Sequence, residues 1–540
     1  MKYLLSLILL IPVCLSASII NVNHDGSGDY TSIQDGIENA NPGDTVLVFP
    51  GNYIETIDFL GKDIVLGSLF LTTMNEDYID TTVIDGNGEN YQLVRFTNGE
   101  SENARLVGFT VTNAATPEKI SYEDVGLGLG VYIKNSSPSV ENNHIVDNVF
   151  NGWYMNGGGI SIENSSAKII GNTISNNNMA QNGGGIFVSN ATNVTIKDNT
   201  ISHHELNPGY GYSYGSGIYI FTSDTIFIKN NHIHDNSIWS VGYGGGLYIW
   251  GCNAVSVIGN VFERNGAMIG GGIYAAGSEV IVNGNLLNDN TAGYHSGGIY
   301  FGHCDALLVN NTIVGNEVSE ESAVGGGVVC SNSNPEFYNN VIYGNMAPVD
   351  GNQVYLGANA DPDFFYNNIE GGLEAFGLND TVTYEGIYEN NIDVDPHFIS
   401  MGDHPYALAF NSPCINAGTP DTTGLQLPEF DLAGFDRIVQ GIIDIGAYEN
   451  QSHVWISEIG KNDNLKVYPN PSKGKVTVHI PNHEFEKAEV FVEDLSGNRV
   501  MQTVMLHDEN TINLNILPPG IYLLRIIIDE EDFVEKIVVY

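Results

Sequence analysis

The sequence predicts an all-β chain, wound as a parallel β-helix and followed by a small antiparallel β-sandwich. Three observations predict the winding. A glycine-led apolar unit, as in "GYGGGLYIWG" at 242–251, returns eight times, its last glycine falling at Gly130, Gly159, Gly185, Gly217, Gly246, Gly272, Gly298 and Gly327. An "Asn-x-apolar" signature follows each glycine by 13 or 14 residues, at Asn143, Asn172, Asn199, Asn231, Asn260, Asn285, Asn311 and Asn340. Between the two, apolar and polar residues alternate with period two, as in "GIYIFTSDTIFIKNNHI" from Gly217 to Ile233. Short strands recurring every 26–32 residues, with no 3.6-residue period, cannot bury their apolar faces one at a time. Stacked coil on coil, they can.

Taken in order, the chain opens on "MKYLLSLILLIPVCLSAS": one Lys, an apolar run, then small residues. That pattern predicts a secretory signal with cleavage among Ser16, Ala17 and Ser18, too short for a membrane anchor. The bulky Val13 beside Cys14 argues against a lipid anchor there. In each later coil the glycine-to-Asn arc has fixed length, whereas the Asn-to-glycine arc varies from 12 to 18 residues. The variable arc therefore carries the loops, and the recurring Asn is expected to form a ladder of stacked side-chain amides. The alternation points Ile160, Ile162, Ile186, Val188, Ile218, Ile220, Leu247, Ile249, Ile273, Ile299, Phe301, Val328 and Cys330 into the coil. At the end, alternating strands with turns at "NPSKG", "LSGN" and "PPG" predict the sandwich.

These residues carry a resemblance. The repeat resembles the right-handed parallel β-helices of the pectin-lyase-like superfamily, and "GSGDYTSIQDGIENANPGDTVLVFPGNYIE" is similar to that family's N-terminal cap. It implies an amphipathic helix at Tyr30–Asn39 plugging the open end before a first strand at Thr45–Phe49. "SPCINAG" with "DLAGFDRIVQGIIDIGAYE" is similar to the choice-of-anchor Q region that closes bacterial β-helices. "LKVYPNPSKGKVTVHI" through "LPPGIYLLRI" to "FVEKIVVY" resembles the C-terminal sorting domain of type IX secretion. The division implied is a signal peptide at 1–17, cap and early coils at 18–125 and repeats at 126–400. A closing region at 401–450, a linker at 451–463 and the sorting domain at 464–540 follow. The resemblance implies a cell of the Bacteroidota type, export across the outer membrane, and the type IX machinery as a partner.

With 64 acidic and 19 basic residues, the formal charge is −45, and eight of the basic residues fall after position 459. Such a field repels nucleic acid and anionic membranes, so nucleic acid is excluded as a partner. A single-chain assembly is expected. The mature part keeps Cys252, Cys304, Cys330 and Cys414, too few for a disulfide framework in a chain this long and expected as free core thiols.

The candidate site lies on the glycine-led strands. Two residues after each glycine stand Tyr132, Ser161, Phe187, Tyr219, Tyr248, Tyr274, Tyr300 and Val329, with Phe221 and Trp250 two further on. The loops add Trp153, Tyr154, Tyr210, Tyr212, Tyr214, Trp239, Tyr243, Tyr294 and His295. Outward aromatic faces with hydroxyls suit sugar rings, so a polysaccharide or glycoconjugate is the expected ligand. Runs of two or three glycines suggest a floor kept clear for it. Stacked aromatics can equally stabilise a sheet without a ligand.

Chemistry is less well marked. A uronic-acid lyase needs a base and a cation, yet Lys134 is the one basic residue on these strands. The Arg-centred signature of pectate lyases and the paired Asp of polygalacturonases are missing, and the acids Glu205, Glu317, Glu320 and Glu321 form no pair. Glu163, His295, His303 and Asp305 are the acid/base candidates. "ISHHE" and "NHIHDN" share a register and make His203, His204, His232, His234 and Asp235 the metal candidates. Calcium fits the charge, but no Asp-rich loop localises it. Two readings follow: a secreted glycan-binding protein without catalysis, or a polysaccharide lyase or glycoside hydrolase.

Overall fold

The computed structural model describes residues 17–115, 128–149, 156–178, 181–207, 211–238, 241–439, 441–451, 465–480, 487–493, 499–518, 520–528 and 531–539. They form two compact units that divide after Asn450.

The first unit is built on three parallel sheets of 14, 12 and 12 strands, and each coil visits them in the same order. In one coil Leu247–Trp250 lies in the glycine-led sheet, Asn253–Ile258 in the second and Val261–Glu263 in the third. Successive coils stack residue upon residue, with Ile218 on Leu247, Tyr219 on Tyr248 and Phe221 on Trp250. The alternation predicted the interior: Ile160, Ile220, Leu247, Phe301 and Cys330 all have 0% exposure. Burying each such side chain contributes roughly 1.5–3 kcal/mol. The four cysteines are free and buried. The loops between third and first sheets carry short strands of their own, among them Ser213–Tyr214 and Gly242–Tyr243, which form a further small parallel sheet.

The open end is plugged by helix Ile33–Asn39, shorter than the Tyr30–Asn39 expected because Ser32 is its N-cap. Glu55 accepts from the Ile33 and Gln34 backbone N–H groups at 2.8 and 3.0 Å. Lys62 Nζ donates to the carbonyls of Ile37, Glu38 and Ala40 at 2.7–2.9 Å. An anion at the N-terminus and a cation at the C-terminus match the helix dipole. The first expected strand spans Thr45–Val48, and a strand the sequence did not reveal, Ile19–Val22, pairs with it in parallel.

Two amide ladders run through the coils. The expected one extends from Asn143 to Asn391, each Nδ2 donating to the next Oδ1 at 2.9–3.0 Å. The second, five residues further along each coil, runs through Asn148, Asn177, Asn236, Asn265, Asn290, Asn316 and Asn345 to Gln353. His204 takes the missing rung. Its Nδ1 accepts from Asn177 N–H at 3.1 Å, its Nε2–H donates to the Ile174 carbonyl at 3.0 Å, and it is fully buried. It is therefore a ladder rung, which corrects its place among the metal candidates.

Burial holds His204 neutral and pushes its pKa from 6.5 down to about 4. As pH falls below 6.5, the unfolded chain takes up a proton that the folded chain refuses until about 4, so stability is lost across that window. H204N, which keeps a rung without the titration, should lose about 2 kcal/mol less than the parent between pH 7 and 5. Urea midpoints of both proteins at the two pH values measure this, since the remaining groups titrate alike in each.

The glycine runs have a different cause from the clear floor the sequence suggested. In Gly244–Gly246, the first glycine has φ +68, and a Cβ on it would lie 2.5 Å from the Leu247 carbonyl. A Cβ on Gly246 would lie 2.7 Å from the Gly272 carbonyl of the next coil and 3.2 Å from Asn265 Cγ of the second ladder. Gly159 and Gly217 meet the same two obstacles. The space is filled by the neighbouring coil's backbone, so the glycines permit stacking rather than access.

After the last coil the chain turns back. Asn368, Asn339, Asn310 and Asn283, on four consecutive coils, bond in turn to Val394, Thr419, Asp444 and Leu425 backbone groups at 2.7–3.1 Å. Within this strap Arg437 and Glu449, both nearly inaccessible, pair at 3.0 Å. The closing region is thus laid along a corner of the coils.

The second unit has two antiparallel sheets. One holds Lys466–Tyr468, Lys475–His479 and Glu509–Asn513; the other holds Arg499–Met505, Ala488–Glu493, Gly520–Ile528 and Glu531–Val539. Their alternate residues, including Val476, Val478, Val490, Leu524 and Ile526, enclose a separate core.

Candidate functional site

The outward positions of the glycine-led sheet hold a continuous file of rings. Phe187, Tyr219, Tyr248, Tyr274 and Tyr300 stack with centroids 5.0–5.2 Å apart and planes within 7°. Strand spacing dictates this, because in-register parallel strands place like residues about 4.8 Å apart. Tyr132 is not part of the file: Ser161 stands between it and Phe187, and its hydroxyl donates to Glu163 at 3.1 Å.

The loop layer covers much of the file. Tyr214 and Tyr243 stack on each other at 5.6 Å, Tyr214 leans on Tyr248 at 4.9 Å and Tyr243 meets Tyr274 edge-on at 5.2 Å. Phe187, Tyr219 and Tyr248 are left 6%, 9% and 5% exposed. Burial pushes the hydroxyls of Tyr219, Tyr248 and Tyr274 above their usual range. This corrects the expectation that these rings offer their faces. Both faces of Tyr219, Tyr248 and Tyr274 are occupied by rings of the adjoining coils, and the end rings Phe187 and Tyr300 adjoin Ser161 and Val329 on their other sides.

Open aromatic surface lies two residues further along the strand. Phe221 and Trp250, register neighbours, are 38% and 45% exposed, and Phe221 lies 6.2 Å from Tyr219. The next two coils place Ala276 and Gly302 at the equivalent position. A Cβ on Gly302 would stand 3.2 Å from the Tyr300 ring and 3.9 Å from the Tyr274 hydroxyl. The two large exposed rings make a shelf, and the small residues beyond it, Ala276 and Gly302, are buried. The small residues were not singled out from sequence, although the register that aligns them with Trp250 was readable there. Trp153, Tyr154, Tyr210 and Trp239 lie outside the described residues.

The acid/base candidates are not brought together. Glu163 pairs with Lys134 at 3.3 Å. Five coils on, roughly 24 Å at strand spacing, His295 and His303 flank opposite ends of strand Ile299–Gly302. His295 is half-buried, which lowers its pKa, and Asp305 accepts the Asn334 N–H at 2.7 Å.

Of the metal candidates, His203, His234 and Asp235 converge, with one ligand atom from each lying within 4.8 Å of the others. His232 turns to Glu263 at 3.1 Å. Arg264 grips Asp235 through Nε and Nη2, both at 2.9 Å, and holds that carboxyl down to about 2.

With this geometry in hand, the chain can be placed. Residues 158–342 match the family described as right handed beta helix region, so the coils are those of a right-handed β-helix. Residues 466–540 match the secretion system C-terminal sorting domain: the second unit is a type IX sorting domain, and the protein is secreted to the cell surface or extracellular space. Residues 58–202 match a family described as a protein of unknown function, DUF1565. A search of curated proteins finds no match.

Among solved structures, the complex of XylC with xylose is 14% identical over 71% of this chain and 88% of its own, with a TM-score of 0.37. The enzymatically active domain of bacteriophage CBA120 tailspike protein 2 is 11% identical over 97% and 76%, with a TM-score of 0.30. The catalytic domain of Agl-KA is 13% identical over 71% and 69%, with a TM-score of 0.27. At these scores the likenesses carry no statement about activity.

Proposed function

We propose that the protein is a surface-displayed glycan binder that seats a polysaccharide along the shelf formed by Phe221 and Trp250. The observation that carries this reading is the pair of large exposed rings, Phe221 and Trp250, in adjacent coils. A sugar's apolar face covers an exposed indole, while its hydroxyls reach the polar rim. The dispersal of Glu163, His295, His303 and Asp305 supports binding without cleavage, since hydrolysis needs two carboxylates flanking one bond. Export through the sorting domain brings the shelf to where polysaccharides are met.

A screen of the mature protein against immobilised glycans tests the reading. W250A should weaken the strongest interaction at least tenfold, about 1.4 kcal/mol, and leave the thermal midpoint unchanged. Polymer recovered intact supports this function. New reducing ends, or unsaturated ends absorbing in the ultraviolet, would instead make the protein a hydrolase or a lyase. Unaltered affinity in W250A would remove the shelf from the binding site.

A further inference from the structure

We propose that His203, His234 and Asp235 form a divalent transition-metal site of the zinc type. The cluster sits where the third sheet ends and the long loops begin. The third-sheet strand Thr200–Ser202 immediately precedes His203, and the equivalent strand in the next coil is His232–His234, with Ser202 paired to His234. Coil stacking therefore brings together residues 31 apart in the chain. His203 and Asp235 hold left-handed turn conformations, φ 57 and 54, which aim both side chains off the strand ends toward one place.

The donor set fits. Two imidazoles and a carboxylate suit zinc, and three protein ligands leave a position for water. His234 Nδ1 and Asp235 Oδ2 are already 2.7 Å apart. Donors around a tetrahedral zinc ion stand about 3.3 Å apart, so only His203, which is exposed, has to move inward, by a side-chain rotation. The packed rings of His203 and His234, with centroids 5.5 Å apart, leave it within that reach.

Arg264 is the competitor. Its guanidinium occupies both Asp235 oxygens, and it also contacts Glu263, to which it can turn when Asp235 is taken. A cation must displace one arm of that fork, which sets the site at moderate affinity. Bound there, the ion would tie the bases of two successive loops, those running on to Tyr214 and to Tyr243. The tyrosine cover of the aromatic file would then be fastened from its rim.

Titration of the EDTA-stripped full chain with zinc chloride, followed by calorimetry and thermal midpoint in excess magnesium, tests the assignment. The expected result is one saturable equivalent and a raised midpoint. H203A and H234A should each weaken it at least tenfold, and R264A should tighten it several-fold. No saturable uptake, uptake indifferent to H203A and H234A, or weaker binding in R264A would overturn the proposal.

Discussion

Asn260→Leu should destabilise the β-helix by about 3–5 kcal/mol, although leucine is similar in volume and the site is wholly buried. The Asn260 amide closes four bonds. Its Oδ1 accepts from the N–H and Nδ2 of Asn231 at 2.9 Å each, and its Nδ2 donates to the Ile228 carbonyl at 2.9 Å and to Asn285 Oδ1 at 3.0 Å. Leucine leaves those partners short of bonds in a place water cannot reach, where each orphaned group costs about 1–3 kcal/mol. Repeat stability is a sum of coil and interface terms, so the loss concentrates at one junction and opens the solenoid there. Limited proteolysis should then cut near this coil, and the urea midpoint should drop. N253A, at an exposed position of the same coil, should change neither.

Gly246→Ala is the second large effect expected, at about 3 kcal/mol. The added methyl would lie 2.7 Å from the Gly272 carbonyl and 3.0 Å from Phe262 Cδ1, and backbone in the next coil cannot swing aside. Gly251 provides the contrast. Its φ is +63, but a Cβ there meets nothing closer than Thr222 Oγ1 at 3.9 Å, so G251A should cost only the left-handed backbone term of about 1–2 kcal/mol. Thermal unfolding of both variants separates crowding from conformational strain. A loss in G246A no larger than that in G251A would mean that the neighbouring coil yields to the methyl.

The winding was readable from sequence because it is encoded at constant spacing: the glycine and the first ladder Asn are never more than one residue out of step. The second ladder was equally periodic, yet it hid among many other asparagines, and the His204 rung broke its identity at one coil. The glycine runs were misread for a different reason. What a methyl at Gly246 would strike belongs to residues 16 to 26 positions away, and no local pattern announces it. The aromatic positions were placed correctly on the outer face, but their accessibility depends on Tyr214 and Tyr243, whose loops have no repeat to follow. The strap was least legible, being irregular backbone held by the side chains of Asn283, Asn310, Asn339 and Asn368.

The ladders fix the alignment of the solenoid. Most rungs pass one bond forward to the next rung and one back to a carbonyl of the coil before, as Asn260 does to Asn285 and to Ile228, and Asn236 does to Asn265 and to Ile201. A coil slipped by one residue would break bonds on both of its sides at once. The asparagines therefore lock a coil to both neighbours in a single register, whatever the length of the loop that leaves it.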